Sequence, residues 1–165
     1  MEAVFEDLKG VISVESGYAG GHVKAPSYRM VCEGTSGHAE VVQVVFDPMV
    51  LPLATVLTVF FQMHDPTTLN RQGADVGTQY RSVIFFETEE QQRVAIHLMK
   101  VMEEQKLWPS PMVTEVLPLP AFWPAESKHQ NYFARNREQG YCQAVIAPKL
   151  KKLKTLFPAL RNSEN

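Results

Sequence analysis

Glu40-Val41-Val42-Gln43-Val44-Val45-Phe46, closed by Asp47-Pro48, is the stretch that decides the fold. It is rich in β-branched residues and ends at a turn-forming dipeptide, so it reads as a strand. Period-two alternation puts Glu40 on the same face as Val42, Val44 and Phe46. A carboxyl group beside three apolar side chains loses hydration, which favours its neutral form and raises its pKa. A neutral carboxylic acid donates a hydrogen bond, or a proton, at neutral pH. The other reading of the same pattern is a solvated carboxylate at a strand end.

Toward the N-terminus, Ile12, Val14 and Tyr18 alternate against Ser13 and Glu15 and predict a partner strand. Before it, Met1, Val4, Phe5 and Leu8 share one helix face, with Gly10 as the stop. The stretch from Gly20 to Gly37 reads as a long loop, and long loops inside compact domains are more often functional than idle. Toward the C-terminus, a helix is predicted from Leu53 to His64, with Val56, Leu57 and Phe60 inward. A second loop spans Asp65 to Gln79, and Tyr80 to Phe86 reads as a strand. Thr88 and Gln91 form a capping box for a helix carrying Val94, Leu98 and Met102. A short strand from Val113 to Leu117 and a helix from Pro124 to Asn136 follow. Residues 148–160 are basic with a helical pattern.

This order predicts an α+β sandwich, with helices packed on a mixed sheet. A ferredoxin-like βαββαβ core fits if a first strand precedes the first helix. The sequence opens directly in that helix, so the first strand is expected to be missing. One domain is expected over residues 1–165, with 149–165 as a basic C-terminal tail. There, Lys149, Lys151, Lys152 and Lys154 alternate with Leu150, Leu153 and Leu156, which suits a terminal helix packed on the domain better than a membrane-binding one.

Sixteen Lys and Arg against 18 Asp and Glu leave a net charge of -2, which gives no global electrostatic reason to bind nucleic acid. No apolar run approaches membrane-spanning length. The acidic opening Met1-Glu2-Ala3-Val4-Phe5-Glu6-Asp7 lacks the pattern of a signal peptide, which favours the cytoplasm. Two cysteines, Cys32 and Cys142, do not make a secreted disulfide framework. Cys32 reads as a buried structural thiol. Cys142 follows Gly140-Tyr141 in a breaker segment, from which a thiol could move to meet another. Cys32, His38 and His64 match no zinc spacing, and no metal is expected.

The segment from His64 to Ser82 is dense in polar groups, and Asp75 and Tyr80 within it are placed to position a polar ligand atom together. A surface loop held by its own turns explains the same composition. Glu126 and His129 fall at i,i+3 of the predicted helix, as an orienting pair or an ordinary surface pair.

Taken together, six segments resemble the successive signatures of the A-type peptide methionine sulfoxide reductases. They are Ser16-Gly17-Tyr18-Ala19-Gly20-Gly21, Ser27-Tyr28-Arg29-Met30-Val31-Cys32, Thr35-Ser36-Gly37-His38-Ala39-Glu40-Val41-Val42, the His64-to-Ser82 segment, Pro124-Ala125-Glu126-Ser127-Lys128-His129-Gln130-Asn131-Tyr132, and Gly140-Tyr141-Cys142. The resemblance implies reduction of methionine (S)-sulfoxide, free or in proteins, with no metal and no bound cofactor. It implies Glu40 as the acid, Tyr28 and Tyr80 as hydroxyl donors to the sulfoxide oxygen, and Asp75 as an organising carboxylate. Glu126 and His129 fall in its pocket-supporting segment, and Cys142 matches its resolving cysteine. Thioredoxin is the implied external reductant, and a monomer is expected.

One departure stands out. In that family the nucleophilic cysteine lies in a Gly-Cys-Phe-Trp motif at the end of the first strand, just ahead of the helix that opens this sequence. The nucleophile is therefore expected to be absent from these 165 residues, with Met1 an internal methionine of a longer product and the chain by itself inactive or nearly so. The competing expectation is a non-catalytic module that binds methionine sulfoxide. An in-frame Gly-Cys-Phe-Trp upstream of Met1 would favour the first.

Overall fold

A computed structural model describes residues 1–162. Helix α1 (Glu2–Glu6) buries Val4 and Phe5, and Leu8 just beyond it is fully enclosed. Gly10 ends this segment at φ +89°, a conformation that glycine adopts without a Cβ penalty. Strand β1 (Val11–Ala19) follows. Its pairing with the next strand is irregular between Val11 and Ser13, which turns Ile12 outward. The alternation expected from Ile12 therefore begins at Val14.

The stretch expected as a loop from Gly20 to Gly37 holds a short helix, α2 (Tyr28–Cys32), capped by Ser27, whose side chain accepts the Met30 N–H. The deciding stretch forms β2 (Ala39–Phe46), antiparallel to β1 with Tyr18 opposite Glu40. Its Val42, Val44 and Phe46 pack on the core, as alternation predicted. Helix α3 (Leu53–Met63) buries Val56 and Leu57. A small hairpin, β3 (Arg71–Gln72) with β4 (Asp75–Val76), lies inside the second loop. Tyr80 closes a 3-10 turn, Thr78–Tyr80, so β5 (Val83–Phe86) starts later than expected.

Helix α4 (Glu89–Glu104) starts at Thr88, whose hydroxyl accepts the Gln91 N–H at 3.2 Å. The Gln91 side chain reaches back to the Glu87 N–H rather than to that of Thr88. Strands β6 (Glu115–Pro118) and β7 (Trp123–Pro124) come next. The helix expected from Pro124 to Asn136 does not form as one piece. Pro124 pairs with Gly17 in the sheet, and the Gln130 side chain bonds both the N–H and the carbonyl of Ser16. These contacts hold the segment against β1, leaving a 3-10 turn at Ser127–His129, a left-handed Asn131 and only a short α5 (Tyr132–Arg135).

A π-helical turn, Cys142–Ile146, leads into α6 (Ala147–Leu156). Leu153 is fully buried in the cluster formed with Val4, Phe5, Leu8 and Val59. The basic stretch is thus a packed helix through Leu156; residues 163–165 of the expected tail lie outside the described ones.

The fold is α+β. A three-stranded antiparallel sheet runs β2-β1-β7, and a parallel pair joins β5 to β6. A second cluster, Leu57, Phe61, Ala95 and Met102, joins α3 to α4. Among the described residues no helix is long and apolar enough to cross a membrane.

Candidate active site

The start of β2, the start of α2 and the turn before β5 meet at one end of a cavity of about 860 Å³. Glu40, Tyr28, Tyr80, Asp75 and His129 all line it, so residues far apart in sequence share one space. Glu40 opens onto the cavity, yet the surrounding protein strips enough water from its carboxyl to raise its pKa. Desolvation is the larger cause and the Asp75 carboxylate the second. Asp75 therefore helps keep Glu40 protonated, which is the state that donates.

The two phenols are held in the same sense. Tyr28 is pushed up by its hydrogen bond to Cys32 one helical turn on, then by burial and the Glu40 charge. Tyr80 is pushed up by burial and by the charges of Glu40 and Asp75. Three oxygens whose pKa values are all raised thus line one cavity.

Hydrogen bonds between segments fix these groups. Glu126 accepts the Tyr28 N–H at 2.7 Å and the Tyr18 hydroxyl at 2.9 Å. Burial works against its charge, but the bond from the Tyr28 N–H and its other hydrogen bonds win, and its pKa is lowered. Glu126 therefore orients Tyr28, and among the described residues no hydrogen bond joins its side chain to the ring of His129. His129 instead lies against the Tyr28 ring, centroids 4.1 Å apart. Its Nε2 is buried with no hydrogen-bond partner among the described residues. The Gln79 side chain donates to the Cys32 carbonyl at 3.0 Å and ties the turn carrying Tyr80 to the helix carrying Tyr28.

His64 lines the same cavity from the end of α3. Its Nδ1 lies 2.6 Å from the Phe60 carbonyl, which can only accept, so Nδ1 carries the proton. Burial lowers its pKa to about 4, leaving the ring neutral and Nε2 an acceptor. Nε2 then accepts a hydrogen bond from the Ser82 hydroxyl at 2.7 Å, and Ser82 accepts from Thr114 at 2.7 Å. This chain anchors the start of β5 behind Tyr80. His38 likewise commits both ring nitrogens, to the Gly21 N–H and the Val23 carbonyl.

Cys142 departs from expectation. It is fully buried in the π-helical turn, not carried on a breaker segment, and neither it nor Cys32 lines the cavity. Two lining residues escaped the sequence reading. Tyr141 stands beside Asp75 and Glu40, whose charges, after burial, raise its pKa. Lys149 is lowered by burial, with Asp75 opposing. The resemblance to Gly140-Tyr141-Cys142 carried a signal for Tyr141; Lys149 looked like any other lysine of a basic helix.

The protein is α+β, and its cavity brings together a carboxyl and two phenols with raised pKa values, groups that in their protonated forms can donate hydrogen bonds to an oxygen atom. A family model described as peptide methionine sulfoxide reductase matches residues 1–160, and the chain belongs to that family. It is 52% identical to the peptide methionine sulfoxide reductase MsrA of Chromobacterium violaceum over 160 residues, 97% of this chain and 91% of that protein. It is 54% identical to an MsrA of Thermus thermophilus over 159 residues, 96% of this chain and 89% of that protein. Among solved structures it resembles methionine sulfoxide reductase A of Corynebacterium diphtheriae (TM-score 0.74, 33% identity, 84% of this chain and 70% of that one). It also resembles reduced Mxr1 of Saccharomyces cerevisiae (TM-score 0.72, 36% identity, 81% and 76%).

Proposed function

We propose that the polar end of the cavity binds the oxygen of methionine (S)-sulfoxide, free or in proteins, for its reduction to methionine. The observation that carries this is the convergence of Glu40, Tyr28 and Tyr80 on one cavity, each with its pKa raised. Glu40 gives its proton to the oxygen, and the phenols donate hydrogen bonds to it as its charge grows. Asp75 sustains the Glu40 proton. Glu126 and His129 fix Tyr28.

A thiolate attacks the polarised sulfur. The sulfur–oxygen bond breaks, the oxygen ends on the attacking sulfur as a sulfenic acid, and methionine leaves. The sulfoxide gains two electrons and the thiolate loses two. Cys142 then condenses with the sulfenic acid to give a disulfide and water, and an external dithiol such as thioredoxin reduces the disulfide. Burial of Cys142 means that the π-helical turn must open for this step. No bound cofactor takes part. The attacking thiol is neither Cys32 nor Cys142, so these 165 residues by themselves bind sulfoxide without turning it over. The setting is cytoplasmic and the protein acts as a monomer.

Calorimetry with the two epimers of N-acetylmethionine sulfoxide tests the pocket. The S epimer is expected to bind at least tenfold more tightly, and equal affinity sinks the reading. Because the Glu40 pKa is raised, its donating form persists above the usual carboxylate range, and affinity should fall as pH climbs through that raised value. Glu40→Gln retains a donor and should flatten this profile; Glu40→Ala should weaken binding about tenfold or more. Thioredoxin-dependent turnover by this chain that disappears in Cys142→Ser would make Cys142 the nucleophile instead.

A further inference from the structure

Asp47-Pro48-Met49-Val50-Leu51 carries the chain from β2 to α3. Its base is tied down. The Asp47 N–H donates to the Gly10 carbonyl at 2.8 Å, and the Asp47 carbonyl accepts the N–H groups of Val50 and Leu51. The Asp47 side chain accepts the Met49 N–H at 2.9 Å. Leu51 is buried in the core cluster of α1 and α3, whereas Pro48, Met49 and Val50 are all exposed. A braced, uncharged corner therefore projects from the protein with a methionine at its tip.

The sequence holds seven methionines, all within the described residues. An oxidant has to reach the thioether sulfur from solvent, so burial protects it. Met63 and Met102 are 3% and 4% exposed, and Met1, Met30, Met99 and Met112 are half-buried. Met49 is 91% exposed and stands alone in that respect. It belongs to neither of the two larger core clusters, so a polar oxygen on its sulfur costs the fold no packing.

We propose that Met49 is the site at which this chain is itself oxidised, and that its (S)-sulfoxide is a ligand for the polar cavity end of a second copy. The oxidant is hydrogen peroxide. A lone pair of the Met49 sulfur attacks one peroxide oxygen and the O–O bond breaks. The sulfur keeps that oxygen and loses two electrons, and the peroxide is reduced to water. A second copy is needed because neither Met49 nor its neighbours Pro48 and Val50 line the chain's own cavity. The contact is head-to-tail, the corner of one copy against the cavity of the next. Uncharged flanks let the corner meet walls such as Val44, Val56 and Phe60 without desolvating a charge. The second half of the proposal rests on the sulfoxide reading of the cavity.

The test uses the 165-residue chain. Peptide mass mapping during mild hydrogen peroxide treatment should show Met49 oxidised about tenfold or more faster than Met63 and Met102. Sedimentation equilibrium should then show the oxidised chain associating about tenfold or more tightly than the untreated one. N-acetylmethionine (S)-sulfoxide should reverse this association, and the R epimer should not. Met49→Leu keeps an apolar side chain without the sulfur; it should hold the thermal midpoint and abolish peroxide-induced association. Oxidation of Met49 no faster than that of the buried methionines overturns the proposal. So does association that survives in Met49→Leu, or that the S epimer leaves intact. An oxidised chain that stays monomeric while the small S epimer binds defeats the proposal and leaves the pocket reading standing. If the small epimer does not bind either, both fall.

Discussion

The two ends of the cavity are built by opposite means. At the polar end, side chains from distant segments are locked to backbone: Glu126 to the Tyr28 N–H, Gln79 to the Cys32 carbonyl, His64 to the Phe60 carbonyl. Along the slot between β2 and β5, half-buried apolar side chains line the space and no hydrogen bond crosses it among the described residues. The polar end is pre-organised, so its donors need no rearrangement to meet an oxygen. Along the slot, β2 pairs only with β1 and β5 only with β6 among the described residues. Function and stability should therefore respond to different substitutions at the two ends.

The largest effect belongs to the core behind the α3 wall of the cavity. Phe61 of α3 is fully buried in the cluster that joins α3 to α4. Phe61→Ala should cost about 3–5 kcal/mol in urea unfolding, through lost transfer energy and the cavity left behind. A loss below about 1 kcal/mol would mean that this core repacks freely around the gap.

Next in size is a pH effect on the polar end. The folded-state pKa of His64 lies near 4, below its unfolded value of 6.5. Between those values the unfolded chain binds the extra proton, so stability falls as pH drops from about 6.5 to 4, by about 3 kcal/mol at most. His64→Gln should be less stable at neutral pH but should lose this slope. An unchanged slope in the variant would place the acid sensitivity elsewhere.

How much of this was legible follows the same divide. Strand β2 and its face were readable because alternation and β-branching act within a few residues of Glu40. Helices α3 and α4 were readable from their periodicity. The segment after Pro124 was misread because Gln130 bonds Ser16, 114 residues away in sequence, and this long-range contact overrides local helical preference. The supports of the polar end were hidden for the same reason: Glu126 beside Tyr28, and Gln79 beside Cys32, meet only in three dimensions. Glu40, Tyr28, Tyr80, Asp75 and His129 are legible in the sequence mainly through family resemblance. Pattern alone singles out Glu40, the polar loop with Asp75 and Tyr80, and the Glu126–His129 pair. Lys149 looked like its neighbours in α6, and only the fold turns it toward Asp75.

Smaller effects distinguish the two phenols. Tyr28→Phe and Tyr80→Phe each remove one neutral donor to the sulfoxide oxygen, worth about 1 kcal/mol, or roughly a five- to tenfold loss of affinity. Acting on one oxygen, they should not be additive, and a double-mutant cycle should show coupling of about 0.5 kcal/mol or more. Strict additivity would mean that the two hydroxyls bind different atoms and that the shared oxygen site is wrong.

The smallest effect is the most specific to the way the polar end is held. Gln79 lines the cavity, and its side chain bonds the Cys32 carbonyl and so helps set the spacing between the turn of Tyr80 and the helix of Tyr28. Gln79→Met removes that bond while keeping similar bulk, at a cost of about 1 kcal/mol or less in stability. If the polar end is pre-organised, this change should weaken sulfoxide binding a few-fold and reduce the coupling between Tyr28 and Tyr80 in the same cycle. If binding and coupling both stay as they were, the phenols are positioned without Gln79. The contrast between a braced polar end and an open slot would then rest on Glu126 and His64 alone.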